Sequence, residues 1–357
     1  MRIKKAILTG GGRATRLRPI TLTINKHLIP LANKPMIFHA IEKAVEAGIE
    51  EIFINTNPGE TQLQKSIGNG ERWGISIKYF EQTGGPQGIA HVVKCAEEFI
   101  GHDPFMFYLS DNIILGSIQP FFEHFEKNNL DCLLAFAKVP DPERFGVPVF
   151  DAQGELVEIL EKPSKAPNNF AQTGIYLYGP DVFFKAFEHA QKSQRGEYEI
   201  SDVHTYLLKN GFRVGWREVT GYWKDTGKPE DLLFTNKLLM DELGTANFTR
   251  RGTSNNQTTV KGKVDVGDGA TLTNVQLEGP VIIGENCHLE NCVIGPYVTI
   301  GSNTSVKDST ITDSLIFGNC TLEGVKLKQS IIGEQARLIK KENGFDRVLL
   351  SDYTVVE

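Results

Sequence analysis

The stretch "VIIGENCHLENCVIGPYVTIG", residues 281–301, decides the reading of the C-terminal third. It has no helical period. An apolar residue followed by glycine recurs as Ile283-Gly284, Ile294-Gly295 and Ile300-Gly301, and the mark continues at Phe317-Gly318 and Ile332-Gly333. Apolar positions return about every six residues, from Ile283 through Leu289, Ile294, Ile300 and Val306. That beat belongs to a parallel β-helix, in which each side of a triangular coil turns one side chain inward. A β-sandwich is the alternative, but its strands would alternate over longer runs. The array reads as about four coils. Cys287, Cys292 and Cys320 fall within it and read as core or face residues rather than metal ligands.

Upstream, "GTANFTRRGTSNNQTTVKG" is polar and patternless, and "KPEDLLFTNKLLMDEL", residues 228–243, reads as a helix. Before that, β-rich runs alternate with helical patterns. "KKAILTG", "IEEIFINTN", "ISIKYFEQ", "PFMFYLSDN" and "DCLLAFAKV" read as strands. "KPMIFHAIEKAVEAGI", "GIAHVVKCAEEFI" and "IQPFFEHFEKNNL" read as helices between them. The alternation predicts an α/β domain with a mostly parallel sheet and helices on both faces. The expected division is an α/β domain over 1–243, a linker over 244–258, the β-helix over 259–340 and a tail over 341–357 that no pattern places.

The composition is that of an ordinary globular chain: 357 residues, 40% hydrophobic, 23% charged, net charge −6. The acidic balance argues against a nucleic-acid partner. No apolar run approaches the ~18 residues of a membrane span. The apolar run in "MRIKKAILTG" is too short for a signal peptide. Five scattered cysteines without a C-x-x-C pair point to a reducing, cytoplasmic compartment and to neither a disulfide framework nor zinc.

In an α/β sheet ligands sit at the carboxyl ends of the strands. The stretch "LTGGGRATRLRP", residues 8–19, follows the first strand. Gly10, Gly11 and Gly12 permit a tight turn and let backbone N–H groups approach a ligand. Arg13, Arg16 and Arg18 add positive charge, which suits a polyanion such as a nucleoside triphosphate. Neither the P-loop pattern nor G-x-G-x-x-G is present. A plain surface turn is the bland alternative. Further pieces then accumulate: "NKHLIPLANKPM" with Lys26 and Lys34, "EQTGGPQGIA" with Gln82 and Gly88, "LSDN" with Asp111, and "YWKDTG" with Asp225. "ERFG" (Gly146), "ILEKPS" (Glu161, Lys162), "QTGIY" (Gln172, Thr173, Gly174) and "RGEYEISD" (Arg195, Glu197) lie between the last two.

In this order the pieces resemble the sugar-1-phosphate nucleotidylyltransferases, and the long form that carries a C-terminal left-handed β-helix. The resemblance covers nearly the whole chain, and the opening loop with Lys26, "EKP" and "DTG" make it specific. It implies a Rossmann-like nucleotidyltransferase domain at 1–243. It also implies transfer of a nucleotidyl group from dTTP to glucose 1-phosphate, giving dTDP-glucose and pyrophosphate with Mg²⁺. UTP, another sugar 1-phosphate, and a non-catalytic regulatory subunit of the same fold are the alternatives. A homo-oligomer is expected.

By the resemblance, Arg16, Lys26, Asp111 and Asp225 are catalytic, and Asp111 and Asp225 hold the metal. Gly10, Gly11, Gly12, Thr15, Arg16, Gln82, Gly88 and Asp111 bind the nucleotide. Gly146, Glu161, Lys162, Gln172, Gly174 and Arg195 bind the sugar phosphate. Two positions depart from the family pattern. Ala14 stands at the third glycine of G-G-x-G-T-R; a positive φ there would cost about 1 kcal/mol or more, so a negative φ is expected. Gln172 stands where close relatives carry a small apolar residue. His288 is the one histidine in the repeats, so a second, acyl-transferring activity on the β-helix is disfavoured. A chain ending near Leu243 is expected to keep activity and to lose assembly.

Overall fold

The structure, a computed structural model, describes residues 2–82, 84–340 and 347–356. It divides into two compact units, Met1–Gly12 with Ile37–Lys224, and Arg13–Met36 with Asp225–Glu357.

The first unit is built on a seven-stranded sheet. Its strands are β1 (Lys5–Thr9), β2 (Glu51–Thr56), β3 (Ser76–Glu81), β4 (Phe105–Tyr108), β5 (Cys132–Lys138), β6 (Phe170–Tyr178) and β7 (Val214–Glu218), in the order β7-β5-β6-β4-β1-β2-β3. The neighbours β4, β1, β2 and β3 are parallel, as are β7 and β5. β6 alone runs against its neighbours β4 and β5. The central strands are apolar on both faces, as a covered parallel sheet requires: β4 reads FMFY and is buried throughout, while the edge strands β3 and β7 carry exposed polar residues. Ile7, Phe105, Phe107, Phe136, Tyr176 and Tyr178 enter one core with Val93, Phe183 and Leu207 from helices. Helix α1 (Met36–Glu46) buries Ile37, Ala40, Ile41 and Ala44, a stripe at helical spacing. Further helices include α2 (Ile89–Cys95), α3 (Gln119–Lys127), α4 (Val182–Phe187) and α5 (Ile200–Lys209), beside the short Gln62–Ile67 and Glu97–Ile100. An antiparallel pair, Gly146–Phe150 with Leu156–Glu161, is tied to α5 by Thr205 Oγ1, which accepts from the Ile159 amide at 3.0 Å.

The second unit holds a hairpin (Pro30–Leu31 with Lys34–Pro35), helix α6 (Pro229–Glu242) and the left-handed parallel β-helix. Three parallel sheets of seven, five and six strands form its sides. Thr271, His288, Ser305, Thr321 and Arg337 stand in register, and Leu272, Leu289, Val306, Leu322 and Leu338 stack beside them in the core. Cys287, Cys292 and Cys320 lie in the same core. At one corner Asn274, Asn291 and Asp308 all take positive φ (55°, 54°, 49°). Their side chains form a ladder, with Asn274 Nδ2 donating to Asn291 at 2.9 Å and Asn291 Nδ2 donating to Asp308 at 2.8 Å. Asparagine and aspartate tolerate that conformation better than other non-glycine residues.

The β-helix is longer than the four coils expected from the sequence, since its sides carry five to seven strands. The extra rungs are short and lack the Ile-Gly mark. At one end Thr253–Ser254 pairs with Thr271–Thr273. At the other, Leu349–Leu350 and Val355–Val356 extend two sheets within the stretch that no pattern placed; residues 341–346 lie outside the described residues.

Candidate active site

The parallel strands β1, β2, β3 and β4 end along one edge of the first unit's sheet. The residues that follow are Gly10–Gly12, Asn57, Gln82 and Asp111. Gly10 and Gly11 are glycines for reasons of packing. A Cβ on Gly10 would stand 2.7 Å from the Asn55 carbonyl oxygen, and one on Gly11 would stand 2.7 Å from Asn55 Nδ2. The Gly10 amide donates to Asn55 Oδ1 at 3.0 Å and the Gly12 amide to Asn57 Oδ1 at 2.9 Å. Two of the three loop amides are thus used by side chains at the end of β2. The Gly11 amide makes no hydrogen bond among the described residues and lies in the wall of a cavity. Sequence reasoning missed Asn55 and Asn57. The signal was "INTN", two asparagines closing a strand, which passes for an ordinary turn.

The cavity has a volume of about 260 Å³. Thr9, Gly11, Gly12, Asn55, Gln82 and Gly88 form one side, and Glu161, Lys162, Arg195, Glu197 and Glu199 the other. Seven of the residues expected from the sequence therefore meet here: Gly11, Gly12, Gln82, Gly88, Glu161, Lys162 and Arg195. Gly88 takes φ 92°, and a Cβ there would stand 2.5 Å from the Tyr198 carbonyl oxygen, so a bare glycine is what lets this loop lie against Tyr198.

The cations of the second side are paired within it. Glu161 receives Lys162 Nζ at 3.1 Å, an Arg195 guanidinium nitrogen at 3.2 Å and the Ser201 hydroxyl at 2.6 Å. Arg195 also meets the buried Glu199 at 2.8 Å. Burial works against the charge on Arg195, yet its hydrogen bond and ion pairs with Glu199 and then Glu161 prevail and raise its pKa above the ordinary arginine value. A guanidinium beside an ammonium is a fitting receptor for a phosphate.

Gln172, Gly146 and Gly174 lie in the packing behind this side. Gln172 is buried, with Nε2 2.5 Å from His204 Nδ1; His204 Nε2 in turn lies 2.6 Å from the Tyr178 hydroxyl. Burial lowers the His204 pKa to about 3, so the ring is neutral. A Cβ at Gly146 would stand 2.6 Å from Gln172 Oε1. The glycine is therefore the space into which the glutamine fits. Gly174 gives its carbonyl to the Leu109 amide at 2.8 Å, and a Cβ on it would stand 2.6 Å from the Leu109 side chain. It shapes the turn that carries Asp111. That turn is held by the Ser110 amide, which donates to Thr9 Oγ1 at 3.0 Å, and by Asn112, which donates to Asp111 Oδ1 at 2.8 Å and accepts from Trp223 Nε1 at 2.8 Å.

The second unit carries Thr15, Arg16, Lys26 and Asp225. Thr15 and Arg16 are exposed on the short turn Thr15–Leu17. Lys26 opens the turn Lys26–Leu28, capped by the Asn25 side chain, which accepts from the His27 amide at 2.9 Å. A Cβ on Gly227 would stand 3.0 Å from both an Arg16 guanidinium nitrogen and Asp225 Oδ2. The arginine and the carboxylate thus flank one glycine, and the bareness of Gly227 lets them approach. The expectation for Ala14 fails: its φ is 42°. Its carbonyl accepts from the Thr21 hydroxyl at 2.8 Å and from the Leu17 amide at 3.0 Å. Those two bonds hold the residue in the left-handed region, which alanine enters at a cost of about 1–2 kcal/mol.

Residues 5–242 match the nucleotidyl transferase family, and the chain belongs to it. Among relatives, it is similar to a glucose-1-phosphate thymidylyltransferase of Streptomyces griseus, at 32% identity over 98% of both chains. It is also similar to a low-salt glycan biosynthesis nucleotidyltransferase, Agl11, of Haloferax volcanii, at 40% identity over 74% of this chain and 73% of that one. A solved Bacillus anthracis chain described as a glucose-1-phosphate thymidylyltransferase matches with TM-score 0.61 and 36% identity, over 66% of this chain and 94% of that one. A UDP-glucose pyrophosphorylase structure, at 24% identity and TM-score 0.58, shares the fold.

Proposed function

We propose that the chain transfers a nucleotidyl group from dTTP to glucose 1-phosphate, giving dTDP-glucose and pyrophosphate. The observation that carries this reading is a cavity at the strand ends that has the glycine loop, Gln82 and Gly88 on one side and Glu161, Lys162 and Arg195 on the other. An oxygen of the sugar phosphate attacks the α-phosphorus in line, and the bond to the β-phosphate oxygen breaks to release pyrophosphate. The attacking oxygen is already ionised at neutral pH, so no general base is required. The barrier lies in bringing two polyanions together, and catalysis is positioning with charge neutralisation.

In this reading Arg16, Thr15 and the glycine loop Gly10–Gly12 hold the triphosphate, with the Gly11 amide as the loop donor and the bare Gly10 and Gly12 letting the backbone come close. Lys26 meets the α-phosphate. Gln82 and Gly88 take the base. Lys162 and Arg195 take the sugar phosphate, and Glu161 accepts from sugar hydroxyls. Gly146, Gln172 and Gly174 shape the wall behind the sugar. Among the described residues no cluster of three or more metal-ligating side chains occurs. Two carboxylates, proposed as Asp111 and Asp225, are the donor set that Mg²⁺ takes together with substrate phosphates. Bound Mg²⁺ would neutralise phosphate charge and align the leaving group.

Among the described residues no helix is long and apolar enough to cross a membrane. We take the enzyme to be cytoplasmic and homo-oligomeric, with the flat faces of the β-helix as subunit contacts. The test is pyrophosphate release across dTTP, UTP, ATP, CTP and GTP with glucose, galactose, mannose and N-acetylglucosamine 1-phosphates. dTTP with glucose 1-phosphate should have the highest kcat/KM. A higher value with UTP would replace the nucleotide, and no release with any pair would leave a regulatory subunit of the same fold.

A further inference from the structure

Gln82 reaches the cavity from the end of β3, and His91 stands beside it on α2. Gln82 Nε2 lies 3.2 Å from His91 Nδ1 and 3.4 Å from the Gly88 carbonyl oxygen. Among the described residues Gln82 Oε1 has no hydrogen-bond partner. An amide nitrogen donates only, so Nδ1 must accept, and a ring with a lone pair on Nδ1 is neutral with its proton on Nε2. Both Gln82 N–H groups are then used within the protein. The atom left for a ligand is an acceptor.

That arrangement has a consequence for base choice. Thymine and uracil carry a donor at N3, where cytosine carries an acceptor. We propose that His91 is a positioning residue for base selection: its neutral ring holds the Gln82 amide with Nε2 inward and Oε1 outward, favouring a base that donates at N3, and protonation of the ring reverses the amide and the preference. A protonated ring donates from both nitrogens, so it would draw Oε1 inward and turn Nε2 to the cavity. The inference rests on the reading of Gln82 as the base contact.

The surroundings of His91 keep its ring in the accepting form. The Tyr198 ring stacks on it at 6.0 Å, and Lys192 Nζ lies over that tyrosine at 5.4 Å from the centroid. On its own helix the Cys95 thiol is 3.6 Å from Nδ1, farther than the amide. Burial, and then the charge of Lys192, lower the His91 pKa below its ordinary 6.5.

The experiment is calorimetric titration of the full chain with dTTP and with CTP in Mg²⁺, at about pH 8 and about pH 5.5. The quantity is the ratio of the two Kd values, which cancels the titration of the triphosphate common to both. The wild type should prefer dTTP at the higher pH and lose severalfold of that preference at the lower. The ratio of His91→Ala should be the same at both. A wild-type ratio that does not move, or a His91→Ala ratio that moves as the wild type does, overturns the proposal. Gln82→Ala separates the two readings. If it leaves the ratio at the higher pH unchanged, Gln82 does not read the base and both fall. If it abolishes the preference while the wild-type ratio ignores pH, only the role of His91 falls.

Discussion

His204 illustrates what a single residue can hide from a sequence. "SDVHTY" gives no sign that this imidazole is fully buried between Gln172 and Tyr178, yet Gln172 stood out as a departure from the family pattern. The two observations explain each other. A glutamine at that position needs a buried partner, and the histidine supplies one, with Gly146 making room. The arrangement predicts a pH signature. The folded pKa is about 3 and the unfolded value 6.5, so below 6.5 the unfolded chain takes up a proton that the folded chain refuses. Stability contributed by the neutral ring is therefore present above 6.5 and is lost as pH falls towards 3, at up to about 1.4 kcal/mol per pH unit. Denaturant unfolding between about pH 7 and pH 4 should show the wild type losing stability faster than His204→Gln. Equal slopes in the two proteins would mean that the ring is not held neutral. Ala14 teaches the converse. The cost of a left-handed alanine was known from its chemistry, but the two hydrogen bonds that meet that cost come from Thr21, seven residues on, and from Leu17.

At the scale of elements, what could be read followed from period. The five runs assigned as strands are β1 to β5, and the helix assigned at 228–243 is Pro229–Glu242. β6 escaped because "FAQTGIYLY" was read for its Thr-Gly pair as part of a site, and an antiparallel strand in a βα alternation has no periodic mark of its own. The coils of the β-helix were legible where isoleucine precedes glycine and illegible at the C-terminal end, where Leu350-Ser351 stands beside Ile332-Gly333. The corner ladder offers a test of what stabilises a coil. Asn291→Ala removes two side-chain hydrogen bonds and puts a less tolerant residue at φ 54°. It should lower stability by about 1–2 kcal/mol in denaturant unfolding. Asn291→Gly keeps the conformation and loses only the ladder, so it should cost less. If glycine is as damaging as alanine, the ladder and not the backbone carries the effect.

At the scale of the whole molecule, the compact units do not follow the order of the chain. Residues Arg13–Met36, which include Arg16 and Lys26, group with Asp225–Glu357 and hence with the β-helix. Within that unit the connections are specific. Asn33, at the tip of the hairpin eight residues from the Asn25 cap of the Lys26 turn, donates from Nδ2 to the Ile300 carbonyl at 2.8 Å. Asn236 on α6 accepts from the Ala32 amide at 2.8 Å, and the next residue, Lys237, meets Asp313 at 2.6 Å. Lys263 Nζ donates to the Asp241 and Leu243 carbonyls, both at 3.0 Å, and so closes the end of α6. A chain ending near Leu243 would lose the β-helix side of every one of these contacts except the bond between Asn236 and Ala32. The expectation that such a chain keeps its activity is therefore replaced by its opposite. The first unit has its own core and should fold. Pyrophosphate release should fall tenfold or more, the equivalent of about 1.4 kcal/mol in the barrier, because the segment bearing Lys26 has lost its support. Asn33→Ala in the full chain should show a smaller fall in kcat, since one of those supports is removed. Wild-type turnover by the shortened chain would mean that the β-helix serves assembly alone. A fall that accompanies loss of the first unit's circular dichroism would trace the defect to folding rather than to the hairpin.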